Sequence, residues 1–159
     1  MQNLNKSRIL FVDDEPEILR SLERIAKKLD AVILTAASGQ DALDIINECP
    51  VDVIVSDFNM PNMDGNQLLE QVAIVSPETV RMVLTGHGDM EMIVNLINHG
   101  HIWGFLQKPW DNFDLIVKLK QALQLQQVLA ERTLMRRTID QYQKYHKCPE
   151  LSSACSCCF

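Results

Sequence analysis

The chain has 159 residues, 47% of them hydrophobic and 23% charged, enough for one domain with an ordinary core plus an extension. It has no apolar run near the roughly 18 residues of a membrane span, and the N-terminal MQNLNKSR lacks a hydrophobic signal core, so a cytoplasmic protein is predicted. The net charge of −6 is uneven, with 8 Lys+Arg against 17 Asp+Glu in residues 1–113 and 7 against 4 in residues 114–159; the acidic body argues against nucleic-acid binding.

Arg8 to Val12 reads as a first buried strand, and it runs into Asp13-Asp14-Glu15. Pro16 stands where a helix begins. Ile18, Leu22, Ile25 and Leu29 then share one helical face, opposite Arg20, Arg24, Lys27 and Lys28. Ala31 to Ala36 is predicted as the second strand. Ser38-Gly39 breaks the chain before a helix over Gln40 to Glu48, which Pro50 ends. The run Val51, Val53, Ile54, Val55 makes a third strand that ends on Asp57, followed by a loop to Gly65 containing Pro and Asn. Leu68, Leu69, Val72 and Ala73 form the stripe of a third helix, stopped by Ser76-Pro77.

Thr79 to Leu84 is the fourth strand, leading into Thr85-Gly86-His87-Gly88. Asp89 is placed to cap a fourth helix ending near Asn98. Ile102 to Leu106 is a short fifth strand, with Lys108-Pro109 directly after it. Five strands alternating with helices through short loops imply an α/β fold, a parallel sheet covered on both faces. From Asp111 to Pro149 there is neither Gly nor Pro, so one helix can exceed thirty residues. Leu115, Ile116, Leu119, Ala122 and Leu123 suit the sheet. Beyond them Leu125, Val128, Arg132, Met135, Ile139 and Tyr142 recur at heptad spacing, which favours a dimerising or relay helix. The expected organisation is a body over 1–123, a helical extension over 124–147 and a Cys-rich disordered tail over 148–159.

Of the five cysteines, Cys49 reads as a small core residue, whereas Cys148, Cys155, Cys157 and Cys158 crowd the tail. Reduced thiols are expected throughout. The tail spacing matches no paired Cys-x-x-Cys zinc module, so an unstructured tail is favoured over a metal site. His99 and His101 lack metal-ligand partners in sequence, and Trp103 and Trp110 are expected to pack around the fifth strand.

Strand ends gather the reactive groups. In an open parallel sheet, sites lie at the C-terminal edge of the strands. Asp13, Asp14, Asp57, Thr85 and Lys108 all fall there. Carboxylates hold a hard divalent cation such as Mg2+, while a hydroxyl and an ammonium bind anionic oxygens. Together they suit a phosphoryl group carried on a carboxylate, with Asp57 as the nucleophile.

At these residues the chain resembles the receiver domain of two-component response regulators. The motifs are DDE after strand one, DFNMPNMDG after strand three, LTGHGD after strand four and FLQKPW after strand five, within residues 8 to about 123. The resemblance implies a flavodoxin-like, doubly wound sheet of order 2-1-3-4-5. It also implies phosphorylation of Asp57 by a histidine kinase or phosphotransfer protein. By the same likeness Asp14, Asp57 and the backbone carbonyl of Asn59 ligate Mg2+, and Asp13 acts through a metal-bound water. Thr85 and Lys108 bind phosphoryl oxygens, with a cis Lys108-Pro109 bond aiming the lysine, and Phe105 is the aromatic switch partner of Thr85. His87 falls where family members tune phosphate lifetime.

Gly86 replaces the more usual Ala, and Phe105 the frequent Tyr. The stretch INHGHIWGFLQKPWD looks most like receivers that precede cyclic-di-GMP phosphodiesterase (HD-GYP) domains or ATPase-type transcription activators. Two other readings stay open. One is a Mg2+-dependent phosphohydrolase, although Asn59 cannot serve as the general acid such enzymes place two residues after the nucleophile. The other is a degenerate receiver used as an oligomerisation scaffold. The leading expectation is a phosphorylation-controlled switch, not an enzyme acting on a separate substrate, which signals through its α4-β5-α5 surface.

Overall fold

A computed structural model describes residues 6–86 and 88–146. The expectations for His87 and for the tail over 148–159 therefore lie outside the described residues. The chain divides into two compact units, Met1–Gln126 and Gln127–Phe159.

The first unit alternates strands and helices: β1 (Ser7–Val12), α1 (Pro16–Ala26), β2 (Ala31–Ala36), α2 (Gly39–Glu48), β3 (Val53–Asp57), α3 (Gly65–Val75), β4 (Val80–Thr85), α4 (Met90–Asn98) and β5 (Gly104–Gln107). The last helix, α5, is Asn112–His146, 35 residues long. The five strands are parallel in the order β2-β1-β3-β4-β5, so the expected doubly wound sheet is present.

Strand centrality follows burial. Ile9 to Val12 are fully buried, and all five residues of β3 are buried, as apolar runs without alternation require of strands covered on both faces. On one face Leu10, Val12, Ile54 and Val83 pack with Ala42, Leu43 and Ile46 of α2, Leu68, Leu69 and Val72 of α3 and Ile93 of α4. Alternate residues point to the opposite face. There Ile9, Phe11, Val53, Val55, Met82 and Leu84 are left to α1 and the first part of α5, whose buried side chains are Leu22, Ile25, Ala26, Leu115, Leu119 and Ala122. Each such large side chain contributes about 1.5–3 kcal/mol when fully buried.

Element ends differ from the sequence expectation where local hydrogen bonds compete. The first helix stops at Ala26, and Leu29 is reached by a turn in which its N–H bonds the Ala26 carbonyl at 2.9 Å; it is still buried. The third strand begins at Val53, just after Asp52, whose carboxylate accepts the Arg8 N–H at 2.7 Å and whose own N–H bonds the Arg8 carbonyl at 2.9 Å. The fourth and fifth strands are shifted toward the C-terminus of their predicted spans, reaching Thr85 and Gln107. Ser38 caps α2 by accepting the Asp41 N–H, and Asp64 caps α3 in a reciprocal box with Gln67. Asp89 differs. It precedes α4 with φ −97° and ψ 7°, and its side chain makes no cap bond, contrary to its expected role.

Candidate functional site

Strand register assembles the site. Val12 pairs with Ser56, and Asp57 pairs with Leu84, so Asp13 and Thr85 each lie one residue beyond a paired position flanking the end of β3. Thr85 in turn pairs with Gln107, and Lys108 follows, its N–H bonding the Thr85 carbonyl at 2.7 Å. Residues from four separate stretches thus reach one edge of the sheet. The Lys108-Pro109 bond is cis, as the resemblance implied.

Asp13, Asp14 and Asp57 each offer a carboxylate oxygen within 4.8 Å of the others. Asp13 is fully buried, Asp57 is buried and Asp14 is exposed, so the cluster opens to solvent on the Asp14 side. Lys108 Nζ lies 3.0 Å from Asp13 Oδ2 and 3.1 Å from Asp57 Oδ1. The other Asp13 oxygen accepts the Glu15 N–H at 2.9 Å, which fixes the turn carrying the acids. Burial pushes the Asp57 carboxyl above its ordinary value, and the bond to Lys108 only partly offsets this. For Lys108, burial alone would lower the ammonium, but its bonds to Asp13 and Asp57 outweigh that and raise it.

The loop after Asp57 is held close. The Gly65 N–H bonds the Phe58 carbonyl at 2.9 Å, and a Cβ on Gly65 would collide with the Asp57 carbonyl oxygen. Asn62 takes a positive φ of 69°, a conformation Asn tolerates better than most side chains. The exposed Asn59 donates its side-chain amide to Asp89 Oδ2 at 3.2 Å. Thr85 is fully buried, and its hydroxyl lies 3.2 Å from the Gly86 carbonyl and 3.3 Å from Asp89 Oδ2. Sequence reasoning missed this use of Asp89, because its position before a helix has a simpler explanation as a cap.

Phe105 is half-buried against the core, with Lys118 Nζ 5.5 Å from its ring centroid and bonded to its carbonyl at 2.9 Å. Beside Lys108 a groove of about 390 Å³ is lined by Ile18, Ser21, Pro109, Trp110 and Asn112. His99 and His101 stack with centroids 6.3 Å apart. Cys49 is only partly buried and its thiol bonds the Ile45 carbonyl, so it is a helix-end residue rather than core.

Residues 9–120 match the family described as the response regulator receiver domain. The chain belongs to that family. The receiver is 34% identical over 123 residues to the hydrogenase transcriptional regulatory protein HoxA of Cupriavidus necator, covering 76% of this chain and 25% of that protein. It is 28% identical over 144 residues to the C4-dicarboxylate transport transcriptional regulatory protein DctD of Pseudomonas aeruginosa, covering 89% and 30%. The chain therefore spans about a quarter to a third of the length of these relatives. Among solved structures, the signal receiver domain of an HD domain-containing protein from Pseudomonas fluorescens Pf-5 superposes with a TM-score of 0.76 at 34% identity, covering 83% of this chain and 97% of that one. NtrX from Brucella abortus, solved with ADP, gives 0.75 at 27%, covering 81% and 30%.

Receiver domains serve two-component phosphorylation signalling, and histidine kinases or phosphotransfer proteins phosphorylate them. They bind Mg2+ at an acidic pocket. Three carboxylates within 4.8 Å are an oxygen-only donor set of the kind a hard cation takes, so this receiver's residues fit the ion. No described helix is long and apolar enough to cross a membrane.

Proposed function

We propose that this receiver accepts a phosphoryl group on Asp57 and thereby switches a surface read by a partner or by a further domain of a longer polypeptide. The observation that carries this reading is the meeting of Asp57, Asp13, Asp14 and Lys108 at one sheet edge, with Lys108 bridging two of the acids. An Asp57 carboxylate oxygen attacks the phosphorus of a partner's phosphohistidine in line. The P–N bond breaks, its electron pair returns to the imidazole nitrogen, which takes up a proton, and an acyl phosphate remains on Asp57.

Lys108 neutralises charge developing on the phosphoryl oxygens, and the Thr85 hydroxyl donates to one of them. Asp14, Asp57 and the Asn59 carbonyl would hold Mg2+, with Asp13 reaching it through water. When bound, the ion neutralises the carboxylates and the incoming phosphoryl oxygens. As Thr85 is drawn to the phosphate, space behind it admits the Phe105 ring, and the surface of α4, β5 and α5 changes.

The second unit has a role in this reading. Val128, Met135, Ile139 and Tyr142 are exposed at heptad spacing, which supports a parallel helical dimer with a second copy. Glu131 and Arg136 flank that seam five residues apart, the offset at which opposite charges pair between parallel strands.

Incubation with Mg2+ and a small phosphodonor such as acetyl phosphate tests the central claim. Stoichiometric, base-labile labelling of the wild type and none of Asp57→Asn is expected. Multiple turnover of added esters would make the protein a hydrolase, and inertness would make it a scaffold; either result overturns the proposal.

A further inference from the structure

Asp89 is the one helix-preceding residue among those of α1 to α4 that lies outside the extended region, since Glu15, Ser38 and Asp64 are all extended. Ser38 and Asp64 each take a backbone N–H three residues on. The Asp89 carboxylate is equally suited to that bond, yet its Oδ2 instead accepts from Thr85 Oγ1 at 3.3 Å and Asn59 Nδ2 at 3.2 Å. One oxygen therefore ties the loop after β3 and the end of β4 to the start of α4.

A threonine hydroxyl has a single proton to donate. Here that proton faces the Gly86 carbonyl and Asp89, so a phosphoryl oxygen on Asp57 can receive it only by displacing those acceptors. We infer that Asp89 is a positioning residue that holds Thr85 in the unphosphorylated state and, once released, turns to cap α4. This inference rests on the reading that Thr85 binds the phosphoryl group. The exchange is a competition between two acceptors for one donor, followed by a gain at the helix start. After release, the Asp89 backbone moves toward the extended conformation and its carboxylate accepts the N–H of Met92, as Asp64 accepts that of Gln67. Phosphorylation is thereby converted into order at the first turn of α4, whose outer residues Met90, Glu91 and Met92 are exposed.

The test uses the full chain with Mg2+ and beryllium trifluoride, a tetrahedral phosphoryl mimic, and reads both affinity and amide hydrogen exchange at Glu91 and Met92. Wild type is expected to gain at least threefold protection at Met92 on binding the mimic. Asp89→Ala removes two hydrogen bonds from the unbound state, those of Thr85 and Asn59, against one cap bond from the bound state, so it is expected to bind the mimic about three- to tenfold more tightly and to gain no protection at Met92. Asp89→Asn removes the charge but keeps an acceptor oxygen, so it is expected to stay near wild-type affinity; an affinity equal to that of Asp89→Ala would assign the effect to charge and overturn the inference. Unchanged affinity in Asp89→Ala, while Thr85→Ala binds more weakly than wild type, overturns the role of Asp89 alone. Equal binding by Thr85→Ala and wild type removes the reading of Thr85 and this inference with it.

Discussion

Asp57 illustrates how one side chain can be costly to the fold and useful to the site. Its carboxyl is raised from the usual 3.8 because burial disfavours the charged form more than Lys108 restores it. The folded state therefore holds that proton more tightly than the unfolded chain does. Stability due to Asp57 falls as the pH rises from about its ordinary value through the raised one, and the cost is complete above the raised value. Lys108 runs the same way at the alkaline end. Its folded value is above 10.5, so its contribution is complete below that pH and is lost as the pH climbs through the folded value. In a metal-free buffer on the alkaline side of that raised value, Asp57→Asn is expected to melt at a higher temperature than wild type. The gap should close on acidification, as wild type takes up its proton. Added Mg2+ should raise the wild-type midpoint more than that of the variant. A variant that melts lower throughout the range would contradict the assignment.

At the scale of elements, the decisive contact is the approach of α3 to the end of β3. Gly65 starts α3 where any side chain would strike the Asp57 carbonyl, and Phe58 Cα would be 2.9 Å from the new Cβ. Both neighbours are backbone, which cannot swing aside as a flexible side chain can. Gly65→Ala is expected to cost about 1–3 kcal/mol in denaturant unfolding. It should also slow phosphodonor labelling of Asp57 in the fraction that stays folded. Gly104→Ala in β5, where nothing lies within 4 Å of the added carbon, is the control and should label normally. Equal behaviour of the two variants would show that the loop after Asp57 is indifferent to that contact. Arg81 is a contrasting case of structure without chemistry: burial lowers its guanidinium, and it bonds the carbonyls of Thr79, Gly100 and His101, pinning the turn before β5 to β4.

For the whole molecule, pairing with a second copy turns on the exposed seam of the second unit. Ile139→Glu together with Met135→Glu places charge where apolar side chains meet in a paired helix. A dimer in sedimentation equilibrium should become a monomer, with labelling of Asp57 unchanged. Wild type that stays monomeric at high concentration would remove the dimer proposal and leave the phosphoryl chemistry untouched. Residues 1–113 carry a net charge of the same sign as a phosphate backbone, whereas residues 114–159 are mildly basic.

The sequence alone determined the α/β class, the number of strands and the acids, hydroxyl and lysine at their ends. Buried parallel strands must be continuous apolar runs, and Pro, Gly and Ser punctuate them, so that information is local. Boundaries were less legible, as at Leu29 and Val51, because a buried apolar residue looks alike in a turn or an element. Only the tertiary structure decided that Lys108 meets Asp13 across 95 residues of chain, that Gly65 touches the Asp57 backbone, and that Asp89 serves Thr85 and Asn59 instead of its own helix. These contacts depend on which strands lie side by side and in what register, and no local pattern of residue types carries that pairing.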